Sequence, residues 1–108
     1  MSDTTKAFLL SLYEYSDMKD VGLGSLLVVK RLDSLLRRGE FHAVDMAMRS
    51  ADVSKLDPEI AFSFLTITAT ARNHLNAEVR DRFVARTRQR LLETRQPQYV
   101  DELLHKYK

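Results

Sequence analysis

The three histidines of this chain are the residue type best suited to metal binding or acid–base chemistry. They lie far apart, at His42, His74 and His105. Glu102 and His105 have the Glu-x-x-His spacing that carboxylate-bridged metal bundles use to present two ligands on one helix face. Such a site also needs a second Glu-x-x-His on a facing helix, and the sequence holds none. We therefore expect no bound metal and interpret Glu102 and His105 as solvated residues near a helix end.

Other patterns associated with catalysis are missing or incomplete. The chain has no cysteine, which excludes disulfides, thiolate zinc sites and a cysteine nucleophile. Gly22-Leu23-Gly24 lacks the third glycine and the preceding strand of a phosphate-binding loop. Asp17 and Asp20 are close in sequence, but they fall in a predicted exposed loop, so we interpret them as solvated or helix-capping residues. We expect no enzymatic activity and no cofactor.

The densest charge feature is a predicted helix over residues 77–95 that carries six arginines: Arg80, Arg82, Arg86, Arg88, Arg90 and Arg95. After the predicted turn over 73–76, this segment has the position of the reading helix of a helix-turn-helix. Arg82, Arg86 and Arg90, however, line one flank of its apolar stripe, whereas a reading helix concentrates base-contacting residues on its outer face. Such arginines commonly cover the stripe with their methylenes and pair with nearby acids. We favour this second interpretation, and nucleic-acid binding by helix 77–95 is the alternative.

The elements that must position these residues are helices. Apolar residues recur at helical spacing and no stretch alternates as strands do. The pattern predicts helices over about 3–16, 25–38, 40–51, 58–73 and 77–95, with a short one from Pro97. The length of 108 residues corresponds to one domain, 1–108. The predicted fold is all-α, with five or six antiparallel helices forming a helical-hairpin array or a compact bundle.

Capping residues predict the helix ends. Asp3 or Thr4 is expected to cap the first helix. Gly39 is expected to end the second in a left-handed conformation. Asp57-Pro58-Glu59 has the order of an N-cap, a first helical residue and an acidic first turn.

The predicted second helix follows a loop over 17–24, because two glycines within three residues disfavour a helix interior. Ser25 is its expected N-cap. Its apolar stripe is predicted to consist of Leu26, Val29, Leu32, Leu35 and Leu36.

The segment 35–58 resembles the second half of a tetratricopeptide repeat. The resemblance is carried by Gly39-Glu40-Phe41, then the apolar face of Val44, Met48 and Ala51, and finally Asp57-Pro58. Both have a tight glycine turn, then a helix with one apolar packing face, and then a proline that opens the next helix. Val44 stands where the family has a small alanine, and Pro58 comes two residues late. The resemblance implies helical hairpins of the kind that bind other proteins.

These observations predict a small non-enzymatic protein–protein interaction module, with a self-assembling structural subunit as a further alternative. The expected contact residues are Arg82, Arg86, Arg90, Tyr13, Tyr15, Tyr99 and Tyr107, because arginine and exposed tyrosine are enriched at interfaces. The partner is expected to be a protein or a second copy of the chain. The longest fully apolar run is four residues and no signal-peptide pattern opens the sequence, so we expect a cytoplasmic protein without membrane contact.

Overall fold

The computed structural model describes residues 2–105, except the side chains of Tyr99 and Leu103. Within this range the chain forms α-helices and short 3-10 segments and no strand, which confirms the all-α prediction. The six helices are α1 (Asp3–Ser16), α2 (Val21–Arg37), α3 (Phe41–Ser50), α4 (Pro58–Thr68), α5 (Ala77–Leu92) and α6 (Pro97–His105). The 3-10 segments Val53–Lys55 and Ala69–His74 precede and follow α4.

The helices form two layers. α1, α3 and α5 pack side by side in one layer, and α2 packs along α4 in the other, while α6 packs on α5. The molecule measures 36 × 32 × 20 Å, and its short dimension equals about two helix diameters. Its radius of gyration of 12.8 Å is that of a closed globule of about this length.

One aromatic row ties the layers together. Phe8 of α1 meets Phe64 of α4 edge-on, with ring centroids 5.3 Å apart. Phe64 in turn lies 4.8 Å from Phe83 of α5. All three rings are buried. Leu65 of α4 is also fully buried.

Several helix ends form as the capping residues predict. Gly39 has φ of +74°, and the chain closes α2 with hydrogen bonds from the Gly39 and Glu40 amides to the Leu36 and Leu35 carbonyls. This is the Schellman pattern, which satisfies carbonyls that the helix leaves open. The side chains of Asp57 and Asn76 accept hydrogen bonds from the first turns of α4 and α5.

The prediction for the start of α2 was wrong. The helix begins at Val21, with Asp20 and not Ser25 as its N-cap. Gly22 and Gly24 therefore lie inside the helix. The reason at Gly24 is packing: a Cβ there would lie 2.7 Å from the Tyr15 carbonyl oxygen, so glycine allows α2 to approach the end of α1.

The longer helix also corrects its predicted apolar face. Gly24, Val28, Leu32 and Leu35 form the buried row. Leu26, predicted to face the core, is 67% exposed.

Three other predicted boundaries shift. Ser2, rather than Asp3 or Thr4, caps α1, because its hydroxyl accepts from the Thr5 amide. α4 ends at Thr68 instead of near residue 73, because Ala71 has φ of −124° and breaks the helical path. α5 ends at Leu92 instead of residue 95, and hydrogen-bonded turns follow up to Arg95.

No helix in the described part of the chain is both long enough and apolar enough to cross a membrane.

Candidate interaction site

The predicted arginine flank of Arg82, Arg86 and Arg90 is largely engaged within the molecule. Arg86 donates hydrogen bonds to the Met48 and Ala51 carbonyls, at 2.5 and 2.8 Å, and so satisfies the C-terminal end of α3. A cation at this end of a helix is also favoured by the helix dipole. The Arg90 Nε donates to the Leu56 carbonyl at 3.1 Å. Arg86 and Arg90 therefore hold the segment after α3 against α5.

The remaining arginines of the same helix also have internal roles. Arg82 pairs with Glu78 one turn away, and both side chains are about 70% exposed. Arg88 joins α5 to α6 through Asp101 at 2.8 Å, and this hydrogen bond raises the pKa of the guanidinium.

Arg95 pairs with Glu59 of α4, and Arg80 is buried, which lowers its pKa. Within α5 only Arg82 keeps a largely exposed cation. These contacts are those expected when arginines flank a packed stripe.

The predicted tyrosines are not brought together. The Tyr13 hydroxyl oxygen accepts a hydrogen bond from the Asp52 backbone N–H, with 3.0 Å between the two heavy atoms. This bond connects α1 to the segment after α3. Tyr15 lines a groove between α1 and α2. Both side chains are half-buried, not exposed as predicted. The Tyr99 side chain and Tyr107 lie outside the described part of the structure.

The groove that Tyr15 lines is an open surface cleft between α1 and α2. The backbones of α1 and α2 meet where Gly24 faces the Tyr15 carbonyl, and the cleft lies along the two helices beyond that contact. We call it the α1–α2 groove. It encloses about 480 Å³ and is lined by Thr4, Ala7, Phe8, Tyr15, Leu27, Lys30, Arg31, Ser34, Leu35 and Arg38.

Three cations line the α1–α2 groove, and Arg38 alone among them has an acidic partner in the described structure. Lys30, Arg31 and Arg38 are exposed on its α2 wall, and no carboxylate is among its described lining residues. Neither Lys30 nor Arg31 forms an ion pair with another residue in the range 2–105. Arg38 lies 3.4 Å from Glu40, and the two side chains are 62% and 37% exposed. Lys30 and Arg31 thus leave positive charge available to a ligand.

Three large leucines of α1 and α2 are exposed. Leu10, Leu23 and Leu26 are the large hydrophobic side chains that the described structure leaves exposed, at 62%, 46% and 67%. Leu23 precedes the groove-lining Leu27 by one turn of α2, which places it near the groove.

A second cleft separates α3 from α5. It encloses about 370 Å³ and is lined by Arg49, Val79, Arg82, Ala85 and Arg86. Arg86 and Arg82 are already engaged by backbone carbonyls and by Glu78. This cleft therefore offers fewer uncommitted charges than the α1–α2 groove.

Sequence reasoning identified Tyr15 but missed the cations and leucines of the α1–α2 groove. Asp20, an N-cap residue whose side chain accepts from the Leu23 amide, signals the helix start. The buried face is the row of Gly24, Val28, Leu32 and Leu35, which leaves Lys30 and Arg31 outside.

No family model, curated protein or solved structure matches the chain. The resemblance of residues 35–58 to tetratricopeptide hairpins therefore stays a prediction.

Proposed function

We propose that this chain is a small, non-enzymatic protein–protein interaction module that binds an acidic segment of a partner protein in the α1–α2 groove. One observation carries the proposal: the groove joins apolar lining to three cations with no carboxylate among its described lining residues. A partner segment with both apolar and acidic side chains would complement both features. We expect the complex to form in the cytoplasm.

A protein segment fits the groove better than a nucleic acid does. Leu27, Tyr15 and the nearby exposed Leu23 offer apolar surface, which phosphates cannot use. Nucleic-acid binding requires many cations free to neutralise phosphates. The arginines of α5 are mostly engaged by backbone carbonyls and carboxylates, so nothing in their geometry favours the alternative of nucleic-acid binding by helix 77–95.

The test is direct binding of a labelled peptide. The probe is a fluorescein-labelled amphipathic helix of about 16 residues, stapled because short helices are marginal in water. It carries leucines on one face and glutamates beside them, and a second peptide has lysines in place of the glutamates. We expect the acidic peptide to bind the full chain and the basic one to bind at least about tenfold more weakly.

Charge reversal locates the site. Lys30→Glu with Arg31→Glu should weaken binding of the acidic peptide at least about tenfold. The matched control is Arg49→Glu with Arg82→Glu, which makes the same charge change at the cleft between α3 and α5. We expect this control to bind like the parent chain. Equal binding of both peptides, or equal losses in the two double variants, would contradict the proposal.

A further inference from the structure

The cations of the α1–α2 groove occupy two levels along α2. Lys30 and Arg31 form the first level, and Arg38 forms the second. Arg31 and Arg38 are seven residues apart, which is two helical turns or about 10.5 Å along the axis. Both lie on the same wall of the groove. Ligand carboxylates that meet both levels must therefore be separated by a similar distance.

The surface between the two levels is apolar and can be approached closely. Leu35 and Phe8 lie at the base of the groove, at 4% and 1% exposure. Ser34 stands on the α2 wall, and the small residues Thr4 and Ala7 form the α1 wall. Small walls over an apolar base suit an apolar ligand side chain midway between the two levels.

A helix laid along the groove meets this arrangement with a fixed residue spacing. Helical residues at i, i+3, i+4 and i+7 share one face, and i and i+7 are separated by the same two turns as Arg31 and Arg38. Recognition of an amphipathic helix by a groove uses such anchors.

Resting on the proposed function, we propose that the partner segment is an amphipathic helix with Asp or Glu at i and i+7 and an apolar residue at i+3 or i+4. The first carboxylate pairs with Lys30 and Arg31. The second pairs with Arg38, whose side chain stays 62% exposed beside Glu40. The apolar residue lies over Leu35 and Phe8.

The experiment compares two stapled peptides of identical composition and net charge. One carries its two glutamates seven residues apart with a leucine midway, and the other carries them five residues apart, which places them on different faces. Binding to the full chain is measured by fluorescence anisotropy. We expect the seven-residue spacing to bind about twofold to fivefold more tightly, because only this peptide forms both exposed ion pairs.

Arg38→Gln is the matched variant. It should abolish the preference between the two peptides, because it removes the second level while Lys30 and Arg31 stay. Equal affinities of the two peptides for the parent chain would refute the proposed i, i+7 spacing of the carboxylates. A preference that survives Arg38→Gln would refute it as well. Neither result would contradict the proposed function.

Two further outcomes would overturn the proposed function as well. One is that neither peptide binds. The other is that a single-stranded oligonucleotide of equal net charge binds more tightly than both, which would favour a nucleic acid as the ligand.

Discussion

Gly24 makes the packing of α1 and α2 testable by a single methyl group. Inside a helix, glycine to alanine is ordinarily stabilising by about 1 kcal/mol. At Gly24 the new Cβ would lie 2.7 Å from the Tyr15 carbonyl oxygen and 3.3 Å from the Cδ1 of Ile60. Forcing extra volume into a packed site costs about 1–3 kcal/mol, and here a backbone atom must move. The helix-propensity gain offsets part of this cost, so we expect Gly24→Ala to lower the free energy of unfolding by up to about 2 kcal/mol.

Gly22→Ala is the matched control in the same helical turn. Its Cβ would meet only the Asp20 side chain, at 3.2 Å. Since that side chain is exposed, we expect a change within about 1 kcal/mol of the parent chain. Urea unfolding followed by circular dichroism measures both variants, with the slope m expected to stay constant. If Gly24→Ala proved as stable as Gly22→Ala, the close approach of α1 and α2 would be refuted.

Three further predictions address the core, the arginines of α5 and one carboxylate. Leu65→Ala should lower the free energy of unfolding by about 2–5 kcal/mol in the same assay, and a change near zero would contradict its burial. Arg86→Ala should cost about 1–3 kcal/mol, because it leaves two carbonyls at the end of α3 without their donor. Arg82→Ala removes only an exposed pair and should change stability by less than about 0.5 kcal/mol, so equal effects would contradict the distinction between these arginines. The Ser54 hydroxyl lowers the pKa of Asp52 below its ordinary 3.8, so Ser54→Ala should raise that pKa in an NMR titration of the carboxyl carbon. A lowered pKa of Asp52 stabilises the folded state above pH about 4, and this stabilisation is lost as the pH falls through the pKa of the folded state. An unchanged Asp52 titration in Ser54→Ala would contradict the role of the Ser54 hydroxyl.

Helix ends were predictable where a residue has a strong conformational or capping preference for that position. Gly39 adopts the left-handed conformation that glycine tolerates best, and Asp57 caps α4 just before Pro58. Asn76 caps α5 in the same way. These are local effects, which depend on a few neighbouring residues.

The beginning of α2 could not be predicted by the same reasoning. Two glycines favour a loop by propensity, and only the position of Tyr15 on another helix explains why Gly24 lies within one. Because tertiary packing overrode propensity, the predicted stripe rotated and Leu26 was assigned to the core. The cations beside it were then not recognised as a surface.

The candidate site depended on the same long-range information. The sequence shows six arginines in residues 77–95, and their flanking positions correctly indicated contacts with neighbouring groups. Which groups they contact is decided by the ends of other elements, such as the α3 carbonyls that Arg86 holds. The α1–α2 groove exists only because two helices lie at a particular separation, which periodicity within one helix cannot specify.

The most direct test of the central claim is an NMR titration of the ¹⁵N-labelled chain with the acidic amphipathic peptide. We predict that amide shifts concentrate on the α1–α2 groove, at Ala7, Tyr15, Leu27, Arg31 and Ser34. The cleft between α3 and α5, around Arg49 and Ala85, should stay unchanged. Shifts centred on that cleft, or no shifts at saturating peptide, would contradict the assignment of the α1–α2 groove as the binding site.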